Sequence, residues 1–320
     1  MSKPLDIFRA LADPTRLRII ALLRAMELSV GELAQVLGQS QPRVSRHVKI
    51  LCDAGLAQRR KEGSWVFLVP GAPQDTATIF AAIDDQNDRS GGDHWAVADT
   101  ARLAAVRADR ARAAERYFAD HAEQWDTLRS LHVAESEVEA AIVRLLGAQA
   151  IGRLIDIGTG TGRMIELLGP LSAHATGVDR SPEMLRLARS RLDGSGAAHH
   201  QLLQGDVTGL PLPDASAETI IIHQVLHYLP APEQALEEAA RLLVDGGQLL
   251  VADFAPHDHE ELRTQNAHAR LGFSDAQMES WFAASGLMMD RIETLGGGAL
   301  TVKLWLARRA APSQLKALSA

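Results

Sequence analysis

The residues that decide the fold are Leu154-Ile-Asp-Ile-Gly-Thr-Gly-Thr-Gly162. A short apolar run is followed at once by glycines at positions 158, 160 and 162. Apolar runs of this kind are typical of strands that are buried on both faces of a parallel sheet. Closely spaced glycines let the backbone turn tightly and approach a ligand. The segment therefore predicts an α/β sheet whose first strand ends in a ligand-binding loop.

Acidic residues follow three successive strand-like segments of this region. Asp156 precedes the first glycine of the loop, Asp179 ends the next segment, and Asp206 follows the third. In doubly wound sheets, the acid about twenty residues beyond the first glycine accepts hydrogen bonds from ribose hydroxyls, and Ser181-Pro182 then predicts a helix start. The charge of Asp156 disfavours a pyrophosphate and suits a ligand with an ammonium group, so S-adenosylmethionine is favoured over a dinucleotide.

Residues 115–306 resemble the class I S-adenosylmethionine-dependent methyltransferases, particularly the branch similar to ubiquinone/menaquinone C-methyltransferases. The resemblance rests on residues 156–162, 178–185, 205–207, 225–229 and 243–251. It implies that the glycine loop holds the methionine moiety, that Asp179 binds the ribose, and that Asp206 binds the adenine amino group with Val207 on the ring. The full set of implied cofactor-binding residues is Asp156, Gly158, Thr159, Gly160, Gly162, Asp179, Arg180, Met184, Asp206, Val207 and His223.

Methyl transfer from a sulfonium needs little beyond alignment of the two reacting atoms, so an active domain can lack a diagnostic catalytic residue. His223 and His227 are the candidate catalytic bases, since a neutral imidazole accepts a proton near pH 7. The alternative for His227 is a core or capping role. A single cysteine rules out methylation of arsenic in practice, because that reaction needs several thiols.

The charge of the chain is unevenly distributed. The 320 residues carry a net charge of −7, yet residues 1–70 contain eleven Lys or Arg against six Asp or Glu. A basic N-terminal segment followed by an acidic remainder indicates that the N-terminal segment binds nucleic acid.

The basic N-terminal segment reads as a helix-turn-helix followed by a wing. Helices are predicted at residues 5–11, 15–25, 29–37 and 41–54, and two strand-like runs at 56–69 surround Glu62-Gly63. Long donor side chains near the start of the fourth helix suit base edges, and basic residues near the wing tip suit phosphates. The candidate DNA-binding residues are Ser40, Gln41, Arg43, Ser45, Arg46, His47 and Lys49 on the helix, with Arg59, Arg60 and Lys61 on the wing.

The stretch from Leu5 to Val69 is similar to the winged helix of the ArsR family of bacterial transcriptional regulators. Residues 8–19, 40–47 and 51–56 carry the likeness. Many ArsR regulators sense metals through paired cysteines before the recognition helix, and residues 31–38 contain none. We therefore expect no metal site, and Cys52 is interpreted as a packing residue.

A polar segment at 84–93 predicts a loop or hinge. From Trp95 to about Leu131 the chain contains no Gly or Pro, and Leu103 and Val106 follow helical spacing. The ArsR resemblance implies that this long helix forms a homodimer interface; the alternative is a linker helix lying on the methyltransferase domain. The expected domains are 1–83 (α+β winged helix-turn-helix), 84–131 (long helix) and 132–310 (Rossmann-like α/β methyltransferase fold).

Two functions remain open. The first is a transcription factor that binds S-adenosylmethionine or S-adenosylhomocysteine as a signal, and regulators with this same fusion are linked to methionine-cycle genes. The second is a small-molecule methyltransferase with a DNA-binding appendage, which would also need a methyl acceptor. No apolar run approaches the length of a membrane span, and no signal segment is expected. A single cysteine fits a cytoplasmic protein. In both hypotheses, the expected partner of the winged helix is double-stranded operator DNA.

Overall fold

The computed structural model describes residues 4–62, 65–89, 95–121, 135–147, 151–192, 200–296 and 299–310. The chain forms two compact units, Met1–Arg110 and Ala111–Ala320. The division falls inside a helix, whereas the sequence places boundaries at residues 83 and 131; those boundaries stay a prediction. No helix in the described ranges is both long and apolar enough to span a bilayer.

The N-terminal unit is a winged helix-turn-helix, as the sequence predicts. Its strands form an antiparallel sheet of order β1-β3-β2. In chain order, the elements are α1 (Pro4–Leu11), α2 (Pro14–Ala25), β1 (Leu28–Ser29), α3 (Val30–Leu37), α4 (Gln41–Asp53), β2 (Ala57–Glu62), β3 (Trp65–Pro70), α5 (Pro73–Arg89) and α6 (Ala96–His121).

Local sequence signals set the helix ends of this unit. The Asp13 carboxylate accepts the backbone N–H of Arg16 at the start of α2, and Ser29 forms a capping box with Glu32 at the start of α3. Helix α3 ends at Gly38, whose φ of +64° is the left-handed conformation that glycine adopts without a steric penalty. These caps satisfy backbone groups that the helices leave unpaired.

The expected loop at 84–93 is wrong for its first six residues, because α5 continues to Arg89. Phe80 and Ile83 pack against the core of the unit, which fixes this helix. Asp84 lies on the exposed side of the same helix, where its carboxylate accepts two hydrogen bonds from Arg24 at 2.7 and 2.8 Å. Polar composition at 84–89 therefore marks a solvated helix face. Residues 90–94 lie outside the described ranges.

Helix α6 covers most of the predicted long helix, and residues 122–134 lie outside the described ranges. Its first half is fixed to the winged helix by Leu103 and Val106, both buried in the same core. The Arg18 guanidinium of α2 donates two hydrogen bonds of 2.6 Å to the Asp99 carboxylate of α6. Both side chains are buried, and the guanidinium lies 4.7 Å from the centroid of the Trp95 ring.

The C-terminal unit contains a seven-stranded sheet of order β6-β5-β4-β7-β8-β10-β9. The first five strands in this order are parallel, and β10 is antiparallel to both of its neighbours. The strands are β4 (Arg153–Ile157), β5 (His174–Asp179), β6 (His200–Gln204), β7 (Ala217–His223), β8 (Leu243–Phe254), β9 (Leu287–Leu295) and β10 (Val302–Arg309).

Helices cover both faces of this sheet. Alternate strand residues belong to two separate apolar cores, one with Ile155 and Ile220, the other with Leu154 and Ile221. The helices are α7 (Glu135–Leu146), α8 (Arg163–Leu168), α9 (Pro182–Leu192), α10 (Pro232–Leu242), α11 (Glu261–Gln265) and α12 (Asp275–Ala284). The strand order reverses at β4, where ligands bind in open α/β sheets. The Rossmann-like methyltransferase fold is thereby confirmed.

We predict that Asp99→Asn lowers the stability of the N-terminal unit by about 3–5 kcal/mol, because it leaves the buried Arg18 charge without its counter-ion. The matched control is Asp84→Asn, which breaks the exposed pair with Arg24 and costs less than about 1 kcal/mol. Calorimetric unfolding of the full chain measures both. Equal effects of the two substitutions would show that burial of the Arg18–Asp99 pair is irrelevant to stability.

Candidate ligand site and nucleic-acid interface

The loop after β4 is built from glycines in left-handed conformations. Gly158, Gly160 and Gly162 have φ values of +73°, +53° and +83°. A Cβ atom on Gly158 would lie 2.4 Å from Cγ2 of Val225, in the turn after β7. Any larger residue at 158 would therefore be strained and would also displace that turn. The N–H groups of the three glycines already donate within the protein, to the carbonyls of Val178 and Thr159 and to the Asp179 carboxylate, so the glycines serve a close approach of the backbone.

The Asp179 carboxylate at the end of β5 holds the middle of this loop. Its Oδ2 accepts the backbone N–H of Gly160 at 2.8 Å, and its Oδ1 accepts that of Ser181 at 2.8 Å. Burial raises the pKa of Asp179, and these backbone donors offset part of that rise. A carboxylate has about four acceptor positions. Because the backbone N–H of Arg180 is a third donor to this carboxylate, about one of these positions remains for a ligand hydroxyl such as that of a ribose.

Asp156 is almost fully buried, and its role differs from that of Asp179. Its Oδ2 accepts the hydroxyl of Thr159 at 2.6 Å, so the carboxylate braces the loop from inside. Arg180 is exposed, whereas Met184 is buried in the first turn of α9 and donates its backbone N–H to the Ser181 hydroxyl at 3.2 Å. The ligand contacts predicted for these residues stay predictions.

Asp206 lies in the loop that follows β6. The backbone N–H of Gly205 donates to the Asp179 carbonyl at 3.0 Å, which links this loop to the end of β5. Oδ1 of the exposed Asp206 accepts the backbone N–H and the hydroxyl of Thr208, at 3.0 and 2.8 Å. The Val207 side chain is buried in the core beside the same strands. Position 206 thus carries a solvent-facing carboxylate in a fixed orientation.

His223 and His227 lie at the same edge of the sheet. His223 ends β7 opposite Ala252 of β8 and is buried. His227 lies in the short 3-10 turn after β7, and its Nδ1 is 2.7 Å from Oδ1 of Asp253. Because Asp253 also accepts the backbone N–H groups of His227 and Phe254, its carboxylate is well satisfied as an anion and fixes the Nδ1–H tautomer. Nε2 is then a hydrogen-bond acceptor, and it has no partner among the described residues.

Asp253 is a residue of this site that was not predicted from the sequence. The available signal was an acid at the end of the apolar run of β8, the same signal that identified Asp179. The structure brings the glycine loop, Asp179, Asp206 and His223 to the carboxyl ends of adjacent parallel strands. In the part of the chain that the structure describes, no three His, Cys, Asp or Glu side chains are grouped as metal ligands.

On the recognition helix α4, most of the predicted DNA-binding side chains are exposed. Two of the residues have intramolecular partners. Lys49 donates to Asp53 at 2.7 Å on the exposed face, while His47 is half-buried with its Nδ1 3.8 Å from the Asp13 carboxylate. The exposed residues are Ser40, Gln41, Arg43, Ser45, Arg46 and Lys49.

The three basic residues of the wing differ in how far their side chains are exposed and so in how readily they could contact DNA. Arg59 and Lys61 are exposed on β2. Arg60 is half-buried, and its guanidinium forms a bidentate ion pair with Glu27, with Nη1 2.6 Å from Oε1. Alternation along the strand explains this arrangement, because adjacent side chains point to opposite faces of a sheet. Arg59 and Lys61 therefore share the face opposite to Arg60.

Comparison with known proteins decides the family. Residues 13–59 match the family model "Bacterial regulatory protein, arsR family". The chain is 46% identical over 80 residues to the arsenical resistance operon repressor of Escherichia coli (strain K12), an alignment that covers 24% of this chain and 68% of the repressor. The chain belongs to the ArsR family. It is an ArsR-type DNA-binding regulator whose C-terminal unit is a methyltransferase domain, since residues 155–251 match the model of that domain.

This regulator matches about half the length of its methyltransferase relatives. It is 35% identical over 115 residues to a demethylmenaquinone methyltransferase of Tropheryma whipplei (strain Twist), covering 36% of this chain and 47% of that enzyme. A crystal structure of the 4+2 cyclase SpnF superimposes with a TM-score of 0.50 at 17% identity, covering 56% of this chain and 82% of the cyclase. The fold implies an S-adenosylmethionine-type ligand but does not determine the reaction.

We predict that Arg59→Ala lowers operator affinity uniformly across sequences and reduces the salt dependence by about one phosphate contact. Arg60→Ala should reduce the salt dependence less, because Glu27 already neutralises that guanidinium. Arg46→Ala should instead relax sequence preference. Binding isotherms on specific and random DNA at two salt concentrations distinguish these outcomes. A larger loss of salt dependence for Arg60→Ala would contradict this assignment of the wing residues.

Proposed function

We propose that this regulator binds S-adenosylmethionine or S-adenosylhomocysteine as its effector and controls genes of the methionine cycle. Many ArsR regulators take their signal through paired cysteines, and this chain has a single cysteine. The methyltransferase domain is the remaining recognisable ligand site. Economy therefore favours the cofactor itself, or its demethylated product, as the signal.

The observation that carries the proposal is the arrangement around Asp179. A carboxylate that accepts the backbone N–H groups of Gly160, Ser181 and Arg180, and keeps about one further acceptor position, stands beside a loop with three glycines in left-handed conformations. A ribose hydroxyl fits that position, and the glycines let the ligand approach the loop backbone closely. Asp206 adds an exposed acceptor in the loop after β6, the strand next to β5, which suits the adenine amino group. The residues present thus suit the ligand that the fold implies.

The proposal includes a homodimer that reads a two-fold symmetric operator. Large apolar side chains are exposed on α1 and on α6 of the N-terminal unit: Leu5 is 57%, Phe8 69% and Val97 80% exposed. Leu5 and Phe8 are three residues apart and share one face of α1. A second copy of the chain that covers these side chains would remove them from water.

An active small-molecule methyltransferase is the second candidate, and the Asp253–His227 pair favours it. Bound S-adenosylmethionine would supply an electrophilic methyl group. His227 Nε2 is an acceptor held in one tautomer by a buried carboxylate, the arrangement that general bases require. In this alternative, Nε2 would take the proton from a hydroxyl or amine of the methyl acceptor. Conversion of S-adenosylmethionine with candidate acceptors, lost in His227→Gln, would support it.

We predict that Asp179→Ala weakens S-adenosylhomocysteine binding by about 1.5–3 kcal/mol, through loss of charge-assisted hydrogen bonds to the ribose. Calorimetry on the full chain measures this. Asp290→Ala, which removes an acid of β9 that pairs with Arg308 of β10, is the control and should leave binding unchanged. Unchanged affinity in Asp179→Ala would remove Asp179 from the site.

The same contact predicts a pH dependence. Ribose hydroxyls donate to the ionised carboxylate, so the ligand lowers the pKa of Asp179 below its value in the free protein. The affinity for the ligand is therefore highest above the free-protein pKa of Asp179, and it decreases as the pH falls through that pKa. Because burial raises that pKa, the loss should begin at a higher pH than for an ordinary aspartate. Asp179→Asn should abolish the dependence.

To test the effector role, operator affinity is titrated with each ligand separately, in the wild type and in Asp179→Ala. We expect one of the two ligands to change operator affinity by about 5–150-fold in the wild type. The variant should not respond at ligand concentrations that saturate only the wild type. Equal operator affinity in all conditions would refute the sensor function and leave the enzymatic alternative ahead.

A further inference from the structure

The loop that carries Asp206 is held from outside by two charged residues of α10, Glu238 and Arg241. Glu238 is 8% exposed, and its Oε1 accepts the backbone N–H of Leu210 at 2.6 Å. Arg241 donates to the same carboxylate through Nε at 2.8 Å and Nη2 at 2.6 Å. A helix and a loop 28 residues apart in sequence are thus joined through one bidentate ion pair.

Arg241 also binds the loop directly. Its Nη1 donates to the Leu212 carbonyl at 3.0 Å and its Nη2 to the Leu210 carbonyl at 3.3 Å, and it pairs with the Asp214 carboxylate. The planar guanidinium can serve several acceptors in one plane, which an ammonium group cannot do. The hydrogen bonds from Arg241 lower the pKa of Glu238.

The opposite end of the loop is fixed by Asp179, since the Gly205 N–H donates to the Asp179 carbonyl. Between these two anchors, the Gly209 N–H donates to the Asp206 carbonyl at 3.0 Å, and Thr208 fixes Oδ1 of the Asp206 side chain. The position of the Asp206 carboxylate relative to Asp179 is therefore set by Gly205 on one side and by Leu210 and Leu212 on the other.

We propose that the Glu238–Arg241 pair is a specificity-determining clamp, which positions Asp206 to recognise the 6-amino group of the purine ring. The inference rests on the proposed binding of an adenosyl ligand. Glu238 and Arg241 do not contact that ligand. They act through the backbone of residues 210–212. Their removal therefore moves the Asp206 carboxylate and leaves Asp179 and the glycine loop in place.

The test compares S-adenosylhomocysteine with S-inosylhomocysteine, in which a carbonyl oxygen replaces the 6-amino group. The wild-type chain should prefer the adenosyl ligand by about tenfold to a hundredfold, because the carboxylate accepts from the amino group and repels the carbonyl. In Arg241→Lys, the affinity for the adenosyl ligand should fall towards that for the inosyl ligand. The inosyl affinity itself should change little, since its ribose and methionine contacts persist.

The matched control is Arg153→Lys. Arg153 forms a bidentate pair with Glu218 in the same domain, but at the start of β4, the edge of the sheet opposite to the glycine loop. This variant should keep the full preference. Asp206→Asn should lose the preference without any change at the clamp, and Glu238→Gln provides a milder version of Arg241→Lys if the latter does not fold.

Each outcome decides a separate point. A parallel loss of both affinities in Arg241→Lys would overturn the clamp and leave a purely structural ion pair. If a folded Arg241→Lys variant keeps the full preference for the adenosyl ligand, the clamp is overturned as well. If Asp206→Asn keeps that preference, Asp206 is not the residue that recognises the 6-amino group. A wild-type chain that binds neither ligand would instead refute the proposed function on which the inference rests.

Discussion

The candidate ligand site depends on the hydrogen bonds of the Asp179 carboxylate. It joins the middle of the glycine loop to the start of α9 through the N–H groups of Gly160 and Ser181. The carbonyl of the same residue accepts from Gly205 and so fixes the loop after β6. One residue at a strand end thus sets the relative positions of three segments. Backbone donors offset part of the cost of removing its charge from water.

Features encoded in short segments were predicted from the sequence. The glycine loop at 158–162 and the helix start at Ser181-Pro182 each depend on residues within a few positions of one another. The loop predicted at 84–93 was wrong for residues 84–89 because its polar residues were considered apart from the apolar residues that precede them. Packing of Phe80 and Ile83 in the core extends α5 to Arg89 and leaves the polar face in water.

Contacts between distant segments could not be predicted. Asp253 meets His227 across 26 residues, and Glu238 meets Leu210 across 28, because the strand order places β8 and α10 beside the earlier loops. Arg60 belongs to the same class. Its place in a basic run suggested a phosphate contact, but Glu27 lies opposite it in the fold. The charge of a residue is visible in the sequence, whereas its partner appears only with the topology.

In the proposed function, one ligand couples the methyltransferase domain to DNA binding. Linkage requires the coupling to be reciprocal. The most direct measurement is therefore the affinity of the full chain for S-adenosylhomocysteine and for S-adenosylmethionine, with and without saturating operator DNA. For the effector ligand, we expect operator DNA to change the affinity by the same factor by which that ligand changes operator affinity. Identical affinities for both ligands in the free and DNA-bound protein would contradict the proposed function.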